Sequence, residues 1–309
     1  MKPTNSNIAT TVLAQSFALL ENWQELPPLD LHLNDMRRDQ PPEISKKVFA
    51  LCREYFRNKA MIDGYIAQSC TKRPRRRLQQ ILRVCFTQIL LQDRLAKEIV
   101  ADVAVAWTKK RFNKHEANFI NGVLRKFNPE ACDPTSLSKA AQLGLQEDLY
   151  KRWSNEFGAD KTAELAEAIS KPAAVTARLL NETLDVDPQW KKLSQQKWFG
   201  SEQFYEITNA SDFFKKGDMD GIYIQDPATM ASLSLLKPQE GEEVADVCAA
   251  PGGKSIFIAQ KIGDKGLLHS CDLSEARLKT LEENLADYSN VKFLVQDATQ
   301  PSLKEESLD

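Results

Sequence analysis

The sequence predicts a chain of three parts: an all-α bundle, a small α+β subdomain, and the first half of an open, parallel α/β domain. Three observations predict this. Apolar residues recur at helical spacing as far as Phe127. Short apolar runs then replace that pattern between Pro172 and Tyr223. Finally, Val244 to Ser255 reads as a strand turning through Gly252-Gly253 into a helix, and two more strand-like runs follow, each ending in an aspartate. The expected domain bounds are 1–130, 140–222 and 223–309.

In the first part, helices are expected over Ile8–Leu20, Ile44–Arg57, Met61–Cys70, Arg75–Leu91, Lys97–Lys110 and Lys114–Phe127. Pro27-Pro28, Pro41-Pro42 and Pro74 separate some of them, because proline ends helices. In the last helix Phe119, Ile120, Val123 and Leu124 form a core-facing stripe, while Arg125 and Lys126 are open between core edge and surface contact. Gly122 in that helix costs about 1 kcal/mol against alanine, so close packing of another helix is expected there. Pro129–Pro134 reads as a linker and Leu143–Ser170 as two helices containing Trp153 and Phe157. The α+β part opens with a strand at Val175–Leu180 and holds a helix near Pro188–Gln196. Asp226-Pro-Ala-Thr-Met230 reads as a helix start, with Asp226 as N-cap and Pro227 at the first helical position.

The third part carries the chemistry. Val244, Ala245, Val247 and Cys248 suit a strand covered on both faces. Gly252 and Gly253 supply φ freedom and bare backbone for close ligand approach. The helix over Ser255–Ile262 would then aim its unpaired N–H groups at whatever sits over the glycines. The run Gly266-Leu-Leu-His-Ser-Cys271 ends in Asp272, about twenty residues beyond the elbow, the spacing that sets an acid on a ribose diol. Asp272 also opens Asp-Leu-Ser-Glu, a helix start, so a capping role is the alternative. After a segment with Leu278, Leu281 and Leu285 on one face, Val291-Lys-Phe-Leu-Val-Gln296 reads as a third strand ending in Asp297, where aspartates serve turns as well as ligands. Lys254 belongs either to the elbow's ligand surface or to solvent. A Walker-type phosphate loop is disfavoured, because its first glycine is missing from the required spacing.

Composition excludes several classes. No run approaches ~18 uninterrupted apolar residues, which argues against a membrane-spanning helix. The N-terminus has no signal-peptide core. Six cysteines without a Cys-x-x-Cys pair suggest reduced thiols and a cytoplasmic location. A metal site has no sequence support, and His32, His115 and His269 supply histidine catalysis poorly. The net charge of −2 hides an asymmetry: residues 1–128 hold 22 Lys and Arg against 12 Asp and Glu, or +10, whereas the remaining 19 basic and 31 acidic residues give −12. The densest basic clusters are Lys72, Arg73, Arg75, Arg76 and Arg77, then Lys109, Lys110 and Arg111 with Lys114. They read as a contact for a polyanion, the alternative being a solvated face.

The stretch Asp246-Val-Cys-Ala-Ala-Pro-Gly-Gly-Lys254 is similar to the cofactor-binding motif of the RsmB/NOP family of S-adenosylmethionine-dependent RNA cytosine-5 methyltransferases. The surrounding layout resembles the bacterial RsmB (Sun/Fmu) branch, which acts on 16S ribosomal RNA. Asn118–Phe127 resembles the last helix of a NusB-like RNA-binding domain. The resemblance implies a Rossmann-like methyltransferase domain in which Cys248, Ala249, Ala250, Pro251, Gly252, Gly253 and Lys254 wrap the methionine end of S-adenosylmethionine. It places Asp272 on the ribose and Asp297 near the adenine, makes ribosomal RNA the partner of the basic bundle, and involves no metal. Gln225-Asp226 matches a Gln-Asp pair beside the crevice, and Arg178 loosely matches a family arginine in the preceding subdomain.

In that family one cysteine thiolate adds to C6 of the cytosine, making C5 nucleophilic, and a second assists breakdown of the adduct. They occupy Asp-Ala-Pro-Cys and Thr-Cys motifs. Cys52, Cys70, Cys85, Cys132, Cys248 and Cys271 have neither context. The expectation is therefore a fragment with the cofactor-binding half alone, no catalytic residue, and no methyl transfer by itself. Two other classes stay open: a non-catalytic RNA-binding or antitermination-like protein with a vestigial nucleotide pocket, and a methyltransferase acting on protein or small molecules. The sequence carries no sign of oligomeric state.

Overall fold

The computed structural model describes residues 5–23, 40–92, 95–181, 184–217 and 219–309. They divide into two compact units, Met1–Pro172 and Ala173–Asp309. The Pro27-Pro28 break and His32 lie outside the described residues.

The first unit is helical: α1 (Asn5–Asn22), α2 (Pro42–Arg57), α3 (Lys59–Ser69), α4 (Arg76–Leu91), α5 (Lys97–Arg111) and α6 (Lys114–Lys126). These match the six helices that apolar spacing predicts, within a few residues at each end. Helix α4 is the centre of the bundle, and Leu78, Ile81, Leu82, Val84, Cys85 and Phe86 are all buried because other helices surround it. Val12, Leu13 and Phe17 of α1, Val48, Leu51 and Cys52 of α2, and Ile120 and Leu124 of α6 complete this core. Phe127 closes one end, its ring 4.1 Å from that of Phe86. Asn113 starts α6 as an N-cap, accepting from the Glu116 N–H at 2.9 Å.

Gly122 departs from expectation. It is exposed, and a Cβ built on it meets nothing within 4 Å, so no helix packs there. It lies off the stripe of Ile120, Val123 and Leu124 and faces solvent.

The expected linker is ordered. Asn128 and Asp133 cap single turns at Pro129–Ala131 and Pro134–Ser136, and Leu137 packs into the bundle core. A Cβ on Gly64 of α3 would meet Leu137 Cδ2 at 2.8 Å, so glycine there gives the linker its seat. Helices α7 (Lys139–Gln142), α8 (Glu147–Phe157) and α9 (Ala159–Ser170) follow, and all belong to the first unit. The expected bound at residue 140 instead groups α8 and α9 with the strands beyond them.

The second unit holds two sheets. Strands β1 (Thr176–Leu179), β2 (Lys191–Lys192), β3 (Phe204–Glu206) and β4 (Ile222–Ile224) form an antiparallel sheet in the order β2-β3-β1-β4, with α10 (Ala210–Lys216) between β3 and β4. No helix forms over Pro188–Gln196, contrary to expectation. Asp187 instead accepts from the Gln189 N–H in a turn, and Trp190 packs edge-on against Phe213, with ring centroids 5.2 Å apart. The Trp190 indole N–H donates to Asn209, and Lys191 and Lys192 pair with β3. Anchoring the indole in this way overrides the weak helical spacing of its neighbours.

Asp226 then caps a turn at Pro227–Thr229, accepting from the Ala228 N–H, and α11 (Met230–Leu236) follows. The second sheet is parallel, in the order β5 (Glu243–Asp246), β6 (Leu267–Asp272), β7 (Val291–Val295), with α12 (Gly253–Ile262) and α13 (Glu275–Asn284) as crossovers. Val244 pairs in register with Leu268, and Leu268 with Val291. Ile256, Ile258 and Ile262 of α12 and Leu278 and Leu281 of α13 share one core with Val244 and Leu268. Strand β5 is not covered on both faces: Glu243 and Ala245 are half-buried, and Val247, beyond the strand end, is 40% exposed. The alternation of burial along β5 shows one face packed and one still open.

Candidate functional site

The elbow is built where β5 ends. Ser255 Oγ donates to Asp246 Oδ2 at 2.9 Å, clipping the first turn of α12 to the strand end. The Ala249 N–H donates to the Cys271 carbonyl at 2.8 Å, and the Ala250 N–H to Asp272 Oδ2 at 3.3 Å, tying the loop to the end of β6. Asn284 Nδ2 donates to the Pro251 carbonyl at 2.7 Å. The Ala250–Pro251 peptide is cis.

Both glycines are required by their surroundings, and the positive φ of Gly252 agrees with the expected conformational freedom. Gly252 has φ +117°, and a Cβ on it would lie 2.9 Å from Leu285 Cδ1 and 3.0 Å from Leu281 Cδ1. A Cβ on Gly253 would lie 2.7 Å from Tyr223 Cε1 and 3.0 Å from Gln225 Nε2. Protein side chains therefore press on the two bare positions.

Beneath the elbow stands Arg178 of β1, which is fully buried. Its Nη2 donates to the Gly253 carbonyl at 2.9 Å and its Nη1 pairs with Glu202 Oε2 at 3.1 Å. Burial lowers the guanidinium pKa, and the Glu202 carboxylate opposes that shift. Gln225 is held by Thr176, whose hydroxyl donates to the Gln225 carbonyl at 2.7 Å, and its Nε2 donates to Thr229 at 2.8 Å. Motif likeness singles out Arg178 and Gln225, but only the folded chain brings them, with Tyr223 and Glu202, under one glycine.

The two aspartates differ. Asp272 is 3% exposed, and besides the Ala250 N–H it accepts the Ser274 N–H on Oδ1 at 3.1 Å. Arg277 of α13 lies against it, with Nη1 3.3 Å from Oδ2, while its Nη2 donates to the Ala250 carbonyl at 2.5 Å. The helix cap of α13 is Ser274, whose hydroxyl accepts from the Arg277 N–H. Leu273, which no sequence signal singles out, is 70% exposed beside Asp272 and offers an apolar surface next to a carboxylate. Asp297 is exposed, and Oδ1 accepts both the N–H and the hydroxyl of Thr299, at 2.8 and 2.7 Å, which holds its pKa below the usual carboxylate value. It therefore serves a turn, one residue past Gln296, whose N–H donates to the Asp272 carbonyl. Cys248 and Pro251 are exposed, Ala249 and Ala250 are buried, and Lys254 is half-buried on α12.

This donor set suits a nucleoside with a charged tail. The N-terminal turn of α12 offers N–H groups and the positive end of its dipole, Asp272 offers acceptors for hydroxyls, and Leu273 offers an apolar face for a ring. Among the described residues no His, Cys, Asp and Glu group is arranged for a metal ion. Burial pushes the Cys52 and Cys85 thiols up to about 12 and raises those of Cys70, Cys132 and Cys271.

In the first unit, Lys72, Arg73, Arg75, Arg76, Lys109, Lys110 and Arg111 are exposed. The fold joins the two clusters at Phe112, with Arg77 Cζ 5.0 Å and Arg111 Cζ 5.4 Å from its ring centroid. Three arginines of the first cluster have internal partners. Arg77 and, at 4.0 Å, Arg75 pair with buried Glu116, and Arg76 Nη2 donates to the Glu21 carbonyl at 2.8 Å near the end of α1. Phe112, the ring that unites the clusters, carries no sequence signal. Among the described residues no helix is long and apolar enough to cross a membrane.

A helical unit followed by a parallel sheet with a glycine elbow and acid-ended strands defines a NusB-type bundle joined to an α/β methyltransferase-like fold. The solved structure of PH0851 shares this fold, with a TM-score of 0.67 and 17% identity over 97% of this chain and 72% of its own. Residues 8–129 match the NusB family, and residues 233–309 match the family described as 16S rRNA methyltransferase RsmB/F. The first unit is thus similar to the NusB family, and the last stretch of the second unit to the RsmB/F family. It is 27% identical over 219 residues to the probable ribosomal RNA small subunit methyltransferase B of Bacillus subtilis (strain 168), covering 66% of this chain and 48% of that protein. It is 38% identical over 87 residues to a tRNA (cytosine(72)-C(5))-methyltransferase of Pyrococcus horikoshii, covering 28% of this chain and 22% of that protein. The chain spans about half the length of the first curated relatives it matches.

Proposed function

We propose that this chain supplies the RNA-recruiting bundle and the cofactor-binding half of a cytoplasmic, S-adenosylmethionine-dependent RNA cytosine-5 methyltransferase of the RsmB type, acting on 16S-type ribosomal RNA. The observation that carries this reading is the elbow tied to Asp272 at the strand ends, within the stretch that matches the RsmB/F family.

Residues Cys248 to Lys254 would hold the methionine end, with the first turn of α12 directed at its carboxylate. Asp272 would accept the ribose hydroxyls, and Leu273 and Asp297 would border the adenine. When bound, S-adenosylmethionine supplies a sulfonium-activated methyl group. Arg178, Glu202, Tyr223 and Gln225 would keep the elbow in its binding shape from below. The exposed cations Lys72, Arg73, Arg75, Lys109 and Lys110 would engage phosphates, and the target cytosine would need to be unpaired or extruded.

None of the six thiols stands in an Asp-Ala-Pro-Cys or Thr-Cys context. We therefore propose that residues 1–309 take up the cofactor without transferring its methyl group by themselves. Calorimetry with S-adenosylhomocysteine tests the binding half: heat of binding is expected, and Asp272→Ala should weaken uptake at least tenfold, the scale of one charged hydrogen-bonding group. Absence of heat sinks the reading. Transfer of labelled methyl to ribosomal RNA by this chain alone overturns the second statement.

A further inference from the structure

We propose that the first unit holds a phosphate-binding cavity, walled by the end of α1, by α2, by the start of α3 and by the first half of α4, which seats a phosphate group of a nucleotide or of an RNA chain. It uses no residue of the elbow and does not rest on the cofactor reading.

The cavity has a volume of about 190 Å³. Leu20 and Phe56 form its apolar wall, and its polar groups are Trp23, Tyr55, Lys59, Arg76, Gln80 and Arg83. Three of these are cations and none is an acid. Gln80 has already spent its acceptor, because Oε1 takes Arg83 Nη1 at 3.0 Å, which leaves its amide N–H groups as donors. Apart from the tyrosine hydroxyl, which can act either way, the wall therefore offers donors alone.

The charges are not balanced internally. Asp63, outside the wall, accepts Arg83 Nε and Nη2 at 2.7 and 2.6 Å and Lys59 Nζ at 3.3 Å. Arg76 Nη2 meets a neutral acceptor, the Glu21 carbonyl at 2.8 Å, and the Glu21 side chain does not line the cavity. Three cations less one acid leave an excess of two positive charges. Arg83 is locked by Asp63 and lies over the Tyr55 ring, 5.5 Å from its centroid, so it supplies field, whereas Lys59 and Arg76 keep N–H groups to give.

Two further donors wait without a partner. The Trp23 indole N–H and the Tyr55 hydroxyl are both buried, and neither makes a hydrogen bond among the described residues. Tyr55 is 1% exposed. Burial, with the Asp63 carboxylate nearby, raises its pKa above the ordinary tyrosine value, so the group stays protonated at neutral pH. A buried donor with no acceptor is costly, and each such group calls for one. A phosphate answers all of these features, since it is anionic and accepts on several oxygens at once. Water or a neutral amide would leave the excess charge unanswered.

The test is NMR titration of inorganic phosphate into the isotope-labelled chain at constant ionic strength, with the Trp23 indole resonance identified by its loss in Trp23→Phe. A saturable shift of that resonance is expected, with the other indoles unmoved. Arg76→Gln and Lys59→Gln should each weaken the affinity about tenfold, the scale of one charged hydrogen bond. Arg76→Lys, which keeps the charge, should bind better than Arg76→Gln, and Lys46→Gln, an exposed position of α2 outside the cavity, should bind as wild type does. Circular dichroism checks that each variant folds. A short unstructured oligoribonucleotide, with and without a terminal phosphate, then separates the two sources. A shift with both forms assigns the cavity to the RNA backbone, and a shift with the phosphorylated form alone assigns it to a terminal phosphate. If neither phosphate nor either oligonucleotide moves the Trp23 indole saturably, or if folded Arg76→Gln and Lys59→Gln bind as wild type does, the proposal is overturned and the cavity is a hydrated gap between helices.

Discussion

Gly253 illustrates how one atom decides a site. A methyl group there meets the Tyr223 ring at 2.7 Å and the Gln225 amide at 3.0 Å, side chains of β4 and of the residue just past it. Gly253→Ala should destabilise the second unit by about 1–3 kcal/mol, the usual cost of overpacking, and weaken S-adenosylhomocysteine binding. The checks are thermal unfolding and calorimetry. Thiol reactivity gives a second prediction. With pKa values pushed up to about 12, Cys52 and Cys85 hold about one thiolate in ten thousand at pH 8, and both are buried. Iodoacetamide should therefore modify exposed Cys248 well before either, as read by mass spectrometry, and S-adenosylhomocysteine should slow the reaction at Cys248. Equal labelling of Cys85 and Cys248 in the folded protein would contradict this. At this scale the sequence announces the motif residues and Asp272, since residue type and spacing are local properties. It does not announce Arg277 or Leu273, because nothing in an arginine or a leucine near a helix start tells where its side chain will lie.

The helices of the first unit follow their sequence closely because apolar residues at helical spacing fill one shared core. Helix α6 is the clearest case. Asn113 caps it, Glu116 lies in its first turn, and Arg125 and Lys126 lie in its last, where the dipole favours them. Asn113→Ala should cost about 1 kcal/mol, seen as a lower urea midpoint with unchanged slope. The segment 188–196 behaves oppositely. Its helical spacing is outweighed by one indole, which packs on Phe213 of α10 and donates to Asn209, contacts made by residues about twenty positions downstream. The proline-rich 129–134 segment likewise reads as a spacer by composition but is a pair of capped turns held by Leu137.

Across the whole molecule, charge separates along the chain, and the excess of basic residues lies before residue 129. The two runs that the sequence shows as separate come together at Phe112, whose ring lies near both Arg77 and Arg111. Reversing Lys72, Arg73, Lys109 and Lys110 to glutamate should weaken RNA binding and flatten the dependence of log K on log salt, by about 0.7–0.9 for each phosphate no longer neutralised. Filter binding at several salt concentrations checks it. Unchanged slopes would leave the patch as a solvated face. Arg77 is excluded from that set, because its pairing with buried Glu116 makes its removal a folding defect. What the sequence determined by itself was the order of the parts, the helices, the strand-elbow-helix and the acid at the second strand end, all written in local period, turn chemistry and spacing. The tertiary structure alone decided which side chains fill the glycine gaps, which of the basic residues are occupied internally, that Asp297 closes a turn, and that Arg277 faces Asp272. Those depend on which surfaces the packed elements present to one another, and no local pattern encodes that.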